Sequence, residues 1–194
     1  MKDATGFEVV VWDKPWLEKN SVKWLEGWVR KNFTAFEWGM GGSTLWLARH
    51  CAHVTSVEHD PAWIIGVREA LRERDLLAKA SLFVESVEHG TDAYVGVIDL
   101  YDRMYDLILI DGSEFSRNPA APRAVAHCKD HGIVILDNSG SAPHVPAREY
   151  LDGLIARGGW RVLRWVGFAE QPEGIEPPVI ETSIYINDHG DRAA

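Results

Sequence analysis

The stretch FEWGMGGSTL, residues 36–45, constrains the fold of this chain more than any other part of the sequence. Residues 34–38 have the apolar and aromatic character of a short buried strand, and Ser43 can cap a helix that runs through Leu47. Three glycines lie between the two elements: Gly39, Gly41 and Gly42. Because glycine lets the backbone turn tightly and approach a ligand closely, this strand, glycine turn and helix predict a cradle for a nucleotide-like ligand.

Two residues bear on which ligand the cradle binds. Thr44 occupies the position where the dinucleotide-binding pattern G-x-G-x-x-G has its third glycine. Glu37, two residues before Gly39, suits a ligand that carries an ammonium better than one that carries a pyrophosphate. S-adenosylmethionine has an ammonium, a sulfonium and no phosphate. The E-x-G-x-G stretch resembles motif I of the class I S-adenosylmethionine-dependent methyltransferases; a purely structural turn is the alternative interpretation.

The rest of the chain alternates predicted strands with predicted helices. Further strands are expected at residues 53–57, 81–84, 107–110, 132–136, 160–166 and 181–186, and the main helices at 43–50, 61–74, 119–129 and 145–157. This order predicts an α/β fold with a doubly wound, mostly parallel seven-stranded sheet and helices on both faces. The last two strands have no helix between them, which predicts an antiparallel hairpin at one edge. The arrangement is similar to the class I methyltransferase fold over roughly residues 34–186.

A length of 194 residues favours one folded domain. Residues 1–33 are expected to form an N-terminal helical or lid segment, with a strand or extended arm at 7–12 and a helical region from Pro15. Residues 34–187 are expected to form the Rossmann-like domain, and residues 188–194 a flexible tail.

The net charge and the hydropathy pattern narrow the range of partners. A net charge of −9 disfavours a large nucleic-acid interface, because such an interface needs cations to neutralise phosphates, so no nucleic-acid partner is expected. No apolar run reaches the ~18 residues of a membrane span, so no membrane contact is expected. The chain opens with no signal peptide and its two cysteines form no metal-ligand pattern, which together predict a cytoplasmic location.

Acidic residues stand at four of the predicted strand ends: Glu37, Glu58, Asp111 and Asp137. Ligands of open α/β sheets bind beyond the carboxyl ends of the strands. Four acids at that edge therefore favour a binding site, the alternative being helix caps that face water. Glu58 lies 19 positions after Gly39, where an acid binds ribose hydroxyls in both dehydrogenases and methyltransferases.

The resemblance implies a cofactor site for S-adenosylmethionine. In this interpretation the glycine turn and Ser43 lie beside the methionine part, and Glu37 neutralises its ammonium. Glu58 holds the ribose, His59 and Ser86 border the adenine, and Asp111 lines the side where the methyl group is transferred. The predicted cofactor-binding residues are thus Glu37, Gly39, Gly41, Gly42, Ser43, Glu58, His59, Ser86 and Asp111.

A metal site is also implied. Asp111, Asp137 and Asn138 resemble the metal-binding residues of catechol-type and caffeoyl-CoA-type O-methyltransferases, in which the metal binds two vicinal oxygens of the substrate. Two carboxylates and an amide oxygen suit Mg²⁺. The chain departs from the catechol-type pattern at Glu114, where those enzymes have a lysine base.

Without a metal, a side chain must take a proton from the acceptor. The catalytic candidates are Asp111, Asp137 and His144, with Glu114 a further candidate by position. A solvated surface role is the alternative for His144, and Arg117 is expected to pair with Glu114 or with an anionic substrate.

The function implied is S-adenosylmethionine-dependent methyl transfer to a small-molecule acceptor, with oxygen the leading choice of nucleophile. The alternatives are an NAD-type oxidoreductase, which shares the cradle and the ribose acid, and a non-catalytic module that keeps the cofactor fold.

Overall fold

A seven-stranded sheet forms the centre of the computed structural model, which describes residues 11–169 and 178–189. Its strands are β1 (Thr34–Trp38), β2 (His53–Glu58), β3 (Ala80–Val84), β4 (Tyr105–Ile110), β5 (Cys128–Asp137), β6 (Trp160–Phe168) and β7 (Val179–Asn187). Their order across the sheet is β3-β2-β1-β4-β5-β7-β6. Strands β1 to β5 pair in parallel, and β7 pairs antiparallel with β5 and β6. The predicted mostly parallel sheet with an antiparallel edge hairpin is confirmed.

Helices cover both faces of this sheet. Within the described ranges they are α1 (Lys19–Trp28), α2 (Gly42–His50), α3 (Pro61–Glu73), α4 (Asp92–Gly96), α5 (Arg117–His127) and α6 (Val145–Arg157), with short 3-10 turns at Leu77–Lys79, Val97–Leu100 and Ala142–His144. Helices α1 to α3 contribute to the core on one face and α4 to α6 to the core on the other. None of the described helices is long and apolar enough to cross a membrane.

Strand β4 illustrates why an unbroken apolar run becomes a central strand. Leu107 and Leu109 join the core on the α1–α3 side, whereas Ile108 and Ile110 join the core on the other side. Successive side chains of a strand point to opposite faces, so only a continuous apolar run satisfies both cores. Each of these four residues is at most 2% exposed, and burying one such side chain stabilises the fold by about 1.5–3 kcal/mol.

Several predicted boundaries differ from the structure. Helix α5 begins two residues before Pro119, because the first-turn N–H groups have no intrahelical acceptor and a proline there removes no bond. Strand β5 begins at Cys128, directly after α5, and its register against β4 is irregular at that point. The N-terminal helical region begins as α1 at Lys19 rather than at Pro15. The strand expected at 7–12 lies mostly outside the described residues, as do residues 170–177 of the loop between the last strands and residues 190–194 of the expected tail.

The ends of β1 and β4 approach each other closely through two glycines. Gly39 has φ 92° and Gly112 has φ 75°, both in the left-handed region. A Cβ atom on Gly39 would lie only 2.5 Å from the backbone nitrogen of Gly112. The turn after β1 therefore needs glycine at position 39 for its conformation and for the contact with the β4 end.

We expect Gly39→Ala to destabilise the protein by about 2 kcal/mol or more, because it adds both left-handed strain and a backbone clash. Gly41→Ala is the matched control, since its φ of 174° is extended and nothing lies within 4 Å of a Cβ there. Urea denaturation of the two variants measures the difference. Equal losses of unfolding free energy would contradict this role for Gly39.

Candidate active site

The structure brings the four predicted acids to one edge of the sheet. Glu37 is the penultimate residue of β1, Glu58 and Asp137 end β2 and β5, and Asp111 directly follows β4. Because these strands are parallel, their carboxyl ends lie side by side. The sheet reverses its strand order at β1, which lies between β2 and β4, and this is where open α/β sheets bind ligands.

Glu37 is fully buried beside the glycine turn. Its Oε1 accepts a hydrogen bond from the hydroxyl of Ser56 at 2.6 Å, but its Oε2 has no hydrogen-bond partner among the described residues. Burial raises the pKa of Glu37 from 4.5 to about 7. A buried carboxyl oxygen without a partner is costly, and a positive group placed over the turn would satisfy it.

The carboxylate of Glu58 is held by three backbone N–H groups. Its Oε2 accepts a hydrogen bond from Met40 in the glycine turn at 2.8 Å. Its Oε1 accepts bonds from His59 at 2.8 Å and Asp60 at 2.9 Å, so the side chain joins the turn to the start of α3. Because each carboxylate oxygen has two lone pairs, Oε2 keeps one for a ligand hydroxyl. The sequence predicted the ligand contact but gave no signal for these backbone bonds.

The start of α2 differs from the expected cap. The helix begins at Gly42, and the hydroxyl of Thr44, rather than of Ser43, accepts a hydrogen bond from the Gly41 amide at 3.1 Å. The prediction that Ser43 caps this helix is wrong; Ser43 is buried in the first turn.

Gly42 has a packing role that the sequence did not suggest. A Cβ atom there would overlap the carbonyl oxygens of Trp12 and Lys14, so the N-terminal segment passes directly over the start of α2. This segment therefore forms part of the wall of the cradle.

His59 and Ser86, the predicted neighbours of the adenine, lie just beyond the ends of β2 and β3. Nδ1 of His59 is 2.7 Å from Oε1 of Glu58, and this interaction raises the pKa of His59. Ser86 is exposed, and its hydroxyl accepts a hydrogen bond from the Glu88 amide at 3.1 Å. Both side chains are accessible beside the cradle, and their contact with an adenine stays a prediction.

Arg117 lies between Asp111 and Asp137, which the sequence did not predict. Its Nη2 donates to Oδ1 of Asp111 at 2.7 Å, and its Nη1 donates to the backbone oxygen of Asp137 at 2.6 Å. The side chain is only 7% exposed. The expected pairing of Arg117 with Glu114 is therefore wrong, because its partners lie at the ends of β4 and β5. Its pairing with an anionic substrate stays a prediction.

The residues present do not fit the predicted Mg²⁺ site of Asp111, Asp137 and Asn138. The guanidinium of Arg117 already stands between the two carboxyl groups, and Nδ2 of Asn138 donates to Oδ2 of Asp137 at 2.9 Å. The described residues contain no cluster of three His, Cys, Asp or Glu side chains that could hold a metal ion. Chemistry at this site is therefore left to the side chains and not to a metal ion.

Asp137 and His144 are both buried, and each has an unpartnered polar atom. Burial, together with the charge of Asp111, raises the pKa of Asp137 to about 8, and its Oδ1 has no partner within the described ranges. Nδ1 of His144 lies 3.0 Å from the backbone oxygen of Asn138. A carbonyl only accepts hydrogen bonds, so Nδ1 carries the proton and Nε2 has the free lone pair. At 5% exposure, His144 is not the solvated surface residue of the alternative interpretation.

A cavity of about 430 Å³ opens beside these groups. Its polar side is formed by Asp111, Arg117, Asp137 and Asn138, and its other walls by Trp16, Ala169, Pro178, Val179 and Ile180. A larger cavity of about 620 Å³ is lined by residues at the amino ends of the strands, such as Thr34 and His53, and contains none of the four acids. The smaller cavity is therefore the candidate acceptor site.

Comparison with known proteins adds to this geometry. No protein-family model matches the sequence, and no curated protein matches it. An O-methyltransferase from Bacillus cereus, solved in complex with S-adenosylhomocysteine, superposes with a TM-score of 0.68 at 16% identity, over 88% of this chain and 82% of that one. The O-methyltransferase TomG from Streptomyces achromogenes, involved in tomaymycin synthesis and solved with S-adenosylmethionine, gives 0.65 at 14% identity, over 81% and 74%. The chain has the class I methyltransferase fold.

The methyltransferase fold does not decide the kind of acceptor. An rRNA methylase from Streptococcus thermophilus also matches, with a TM-score of 0.59 at 11% identity over 87% of this chain and 94% of that one. The expected exclusion of nucleic acid, which rested on net charge, is therefore not supported by the fold.

The burial of Glu37 makes the stability of this methyltransferase fold depend on pH. Because the folded-state pKa is raised from 4.5 to about 7, the stabilising contribution of this group is complete below pH 4.5 and is lost as the pH rises through 7. We expect Glu37→Gln to match the wild type near pH 4.5 and to exceed its unfolding free energy by about 3 kcal/mol at pH 8. Chemical denaturation at both pH values measures this.

Glu114→Gln is the matched control, because Glu114 is an exposed acid in the loop after β4. It should show no such difference between the two pH values. A Glu37→Gln variant that follows the wild-type profile would mean that Glu37 ionises as an ordinary exposed carboxyl group.

Proposed function

We propose that this protein is an S-adenosylmethionine-dependent methyltransferase that acts on a small-molecule acceptor, at an oxygen nucleophile. The observation that carries the proposal is the unpartnered Oε2 of Glu37, buried at the end of β1 beside the glycine turn. A cationic ligand satisfies this oxygen, whereas the phosphates of NAD would be repelled by it. The other acids at the same edge would attract the positively charged ammonium and sulfonium groups of this cofactor.

In this proposal, different residues of the cradle bind different parts of the cofactor. The open space above Gly41 receives the methionine part, and the carboxylate of Glu37 compensates its ammonium, directly or through water. The remaining lone pair on Oε2 of Glu58 accepts a ribose hydroxyl. His59 and Ser86 flank the adenine at the ends of β2 and β3.

S-adenosylmethionine supplies an already activated methyl group, so the protein has to position the acceptor and to accept its proton. Asp111 is the proposed proton acceptor. Its Oδ1 is held by the Gly112 amide and Arg117, both at 2.7 Å, and its side chain remains 31% exposed beside the cavity. Its Oδ2 can therefore meet a hydroxyl group of the acceptor. Asp137 and the Nε2 atom of His144 are more deeply buried, so they are the second choices for this role.

Titration calorimetry tests the choice of cofactor. We expect S-adenosylhomocysteine to bind and NAD to bind far more weakly. Because an ammonium lowers the pKa of a neighbouring carboxyl group, binding at pH 7 should release about half a proton from Glu37, and affinity should rise between pH 6 and 8. Comparing buffers of different ionisation enthalpy measures the released proton.

Glu37→Gln should bind S-adenosylhomocysteine more weakly and release no proton, whereas Glu114→Gln should behave as the wild type. Tight NAD binding without a response to S-adenosylhomocysteine would favour the oxidoreductase alternative and overturn the proposal.

Methyl transfer itself is tested with S-adenosylmethionine labelled in its methyl group. Incubation with phenols, aliphatic alcohols and carboxylic acids should transfer the label to a small molecule, and Asp111→Asn should reduce the rate by about 10²–10⁴-fold while cofactor binding persists. If only rRNA became labelled, the acceptor would be a nucleic acid and not a small molecule. Binding without turnover on small molecules or rRNA would favour the non-catalytic module.

A further inference from the structure

The guanidinium of Arg117 is surrounded by oxygen atoms from the ends of two neighbouring strands. Besides the two short hydrogen bonds already described, Nη2 lies 3.4 Å from the backbone oxygen of Gly112, and Nη1 lies 3.6 Å from Oδ2 of Asp137. Two carboxyl groups and two backbone carbonyls thus face one buried positive charge. An all-oxygen set of this kind is also what hard divalent cations select.

The backbone around Arg117 is fixed on both sides, which keeps the guanidinium in place. Ser116 donates its hydroxyl to the backbone oxygen of Ser113 at 2.7 Å and so closes the turn that leads into α5. Asn118 bridges to the next helix, donating to the backbone oxygen of Pro143 and accepting from the Ala147 amide, both at 3.0 Å. The backbone on either side of Arg117 is therefore anchored, and the side chain itself, 7% exposed, contacts the ends of β4 and β5.

A positive charge is needed at this position because β4 and β5 are adjacent. Asp111 and Asp137 stand at the ends of these two strands, and the charge of Asp111 adds to the cost of ionising the buried carboxyl group of Asp137, a cost that a positive charge beside both groups reduces. Arginine stays protonated at all working pH values, and its planar fork binds two oxygen atoms in fixed directions. Its charge is therefore permanent, whereas that of a bound metal depends on the supply of the ion.

We propose that Arg117 is a built-in cation that holds Asp111 and Asp137 together and takes the place of a divalent metal ion at this edge. The inference rests on the proposed methyltransferase function for its catalytic meaning, and Arg117 is a positioning residue that acts through Asp111. One consequence concerns the acceptor. Without a metal to chelate, the acceptor needs a single nucleophilic oxygen and not two vicinal oxygens.

Removing the arginine tests this directly. Arg117→Ala leaves the four oxygen atoms around an empty space of suitable chemistry, so 10 mM MgCl₂ should raise the melting temperature of this variant by about 3–5 °C. The wild type should show no specific response to MgCl₂ compared with NaCl at equal ionic strength. Arg117→Ala with Asp137→Asn should lose the response, which locates the ion.

Arg123→Ala is the matched control, because Arg123 lies on the same helix but pairs with Asp99 at the surface. MgCl₂ should not change the melting temperature of this variant. The proposal would be overturned if Arg117→Ala folds but its melting temperature does not rise with MgCl₂. It would also be overturned if MgCl₂ specifically raises the melting temperature of the wild type.

If the alanine variant fails to fold, Arg117→Lys decides, since lysine keeps the charge. Its melting temperature should lie within a few degrees of that of the wild type and should not change with MgCl₂. A lysine variant that also fails to fold would overturn the proposal, because the shape of the side chain, and not its charge, would then be what the fold requires. These melting experiments use neither cofactor nor acceptor. Their failure is therefore distinguishable from failure of the methyltransferase proposal, which calorimetry tests separately.

Discussion

The carboxyl-terminal edge of the parallel sheet concentrates negative charge in this protein, because four neighbouring strands end in or near an acid. The fold provides hydrogen-bond partners that hold two of these carboxyl groups and leaves the other two with an unpartnered oxygen atom. Backbone N–H groups hold Glu58, and Arg117 holds Asp111. Glu37 and Asp137 each retain an oxygen atom without a partner among the described residues. Each such atom costs about 1–3 kcal/mol, and a cost of this kind at a ligand-binding edge is typical of a functional site.

The network around Glu37 also explains why threonine replaces the third glycine of the dinucleotide pattern. Thr44 is fully buried, accepts a hydrogen bond from the Gly41 amide and lies 3.5 Å from the hydroxyl of Ser56. Ser56 in turn donates to Glu37. The threonine thus links the shape of the glycine turn to the acid beneath it, and glycine at position 44 would break this connection.

The fold could be predicted from the sequence because its signals are local. Unbroken apolar runs such as Leu107–Ile110 mark central strands, and two late strands without a helix between them mark the hairpin. The same reasoning placed the four acids at one edge, since parallel strands align their carboxyl ends.

The partners of those acids could not be predicted, because they depend on where other elements begin. Arg117 reaches Asp111 and Asp137 only because α5 starts two residues earlier than its prolines suggested. His144 is buried at the end of the 3-10 turn Ala142–His144, and its Nδ1 reaches the backbone oxygen of Asn138, six residues earlier, only because of the way the chain turns after β5. The backbone bonds of Glu58 likewise require the glycine turn and the α3 turn to meet, which no local pattern encodes.

A guanidinium and a divalent ion differ in how they select an acceptor, and this difference gives the walls of the cavity a larger role in the selection. A metal binds the reacting oxygens of its substrate directly, whereas the contacts described for the Nη atoms of Arg117 are all with protein oxygens. Selection must then come from shape and apolar contact. Trp16 and Val179 line the cavity and are 56% and 63% exposed, which is unusual for large apolar side chains at a concave site. An acceptor with a flat apolar body would cover them while directing a single hydroxyl group at Asp111. Changes at Trp16 and in the edge hairpin, which supplies Val179, should therefore alter acceptor choice, whereas Trp12 and Lys14 of the same N-terminal segment pack on the start of α2 and belong to the wall of the cofactor cradle.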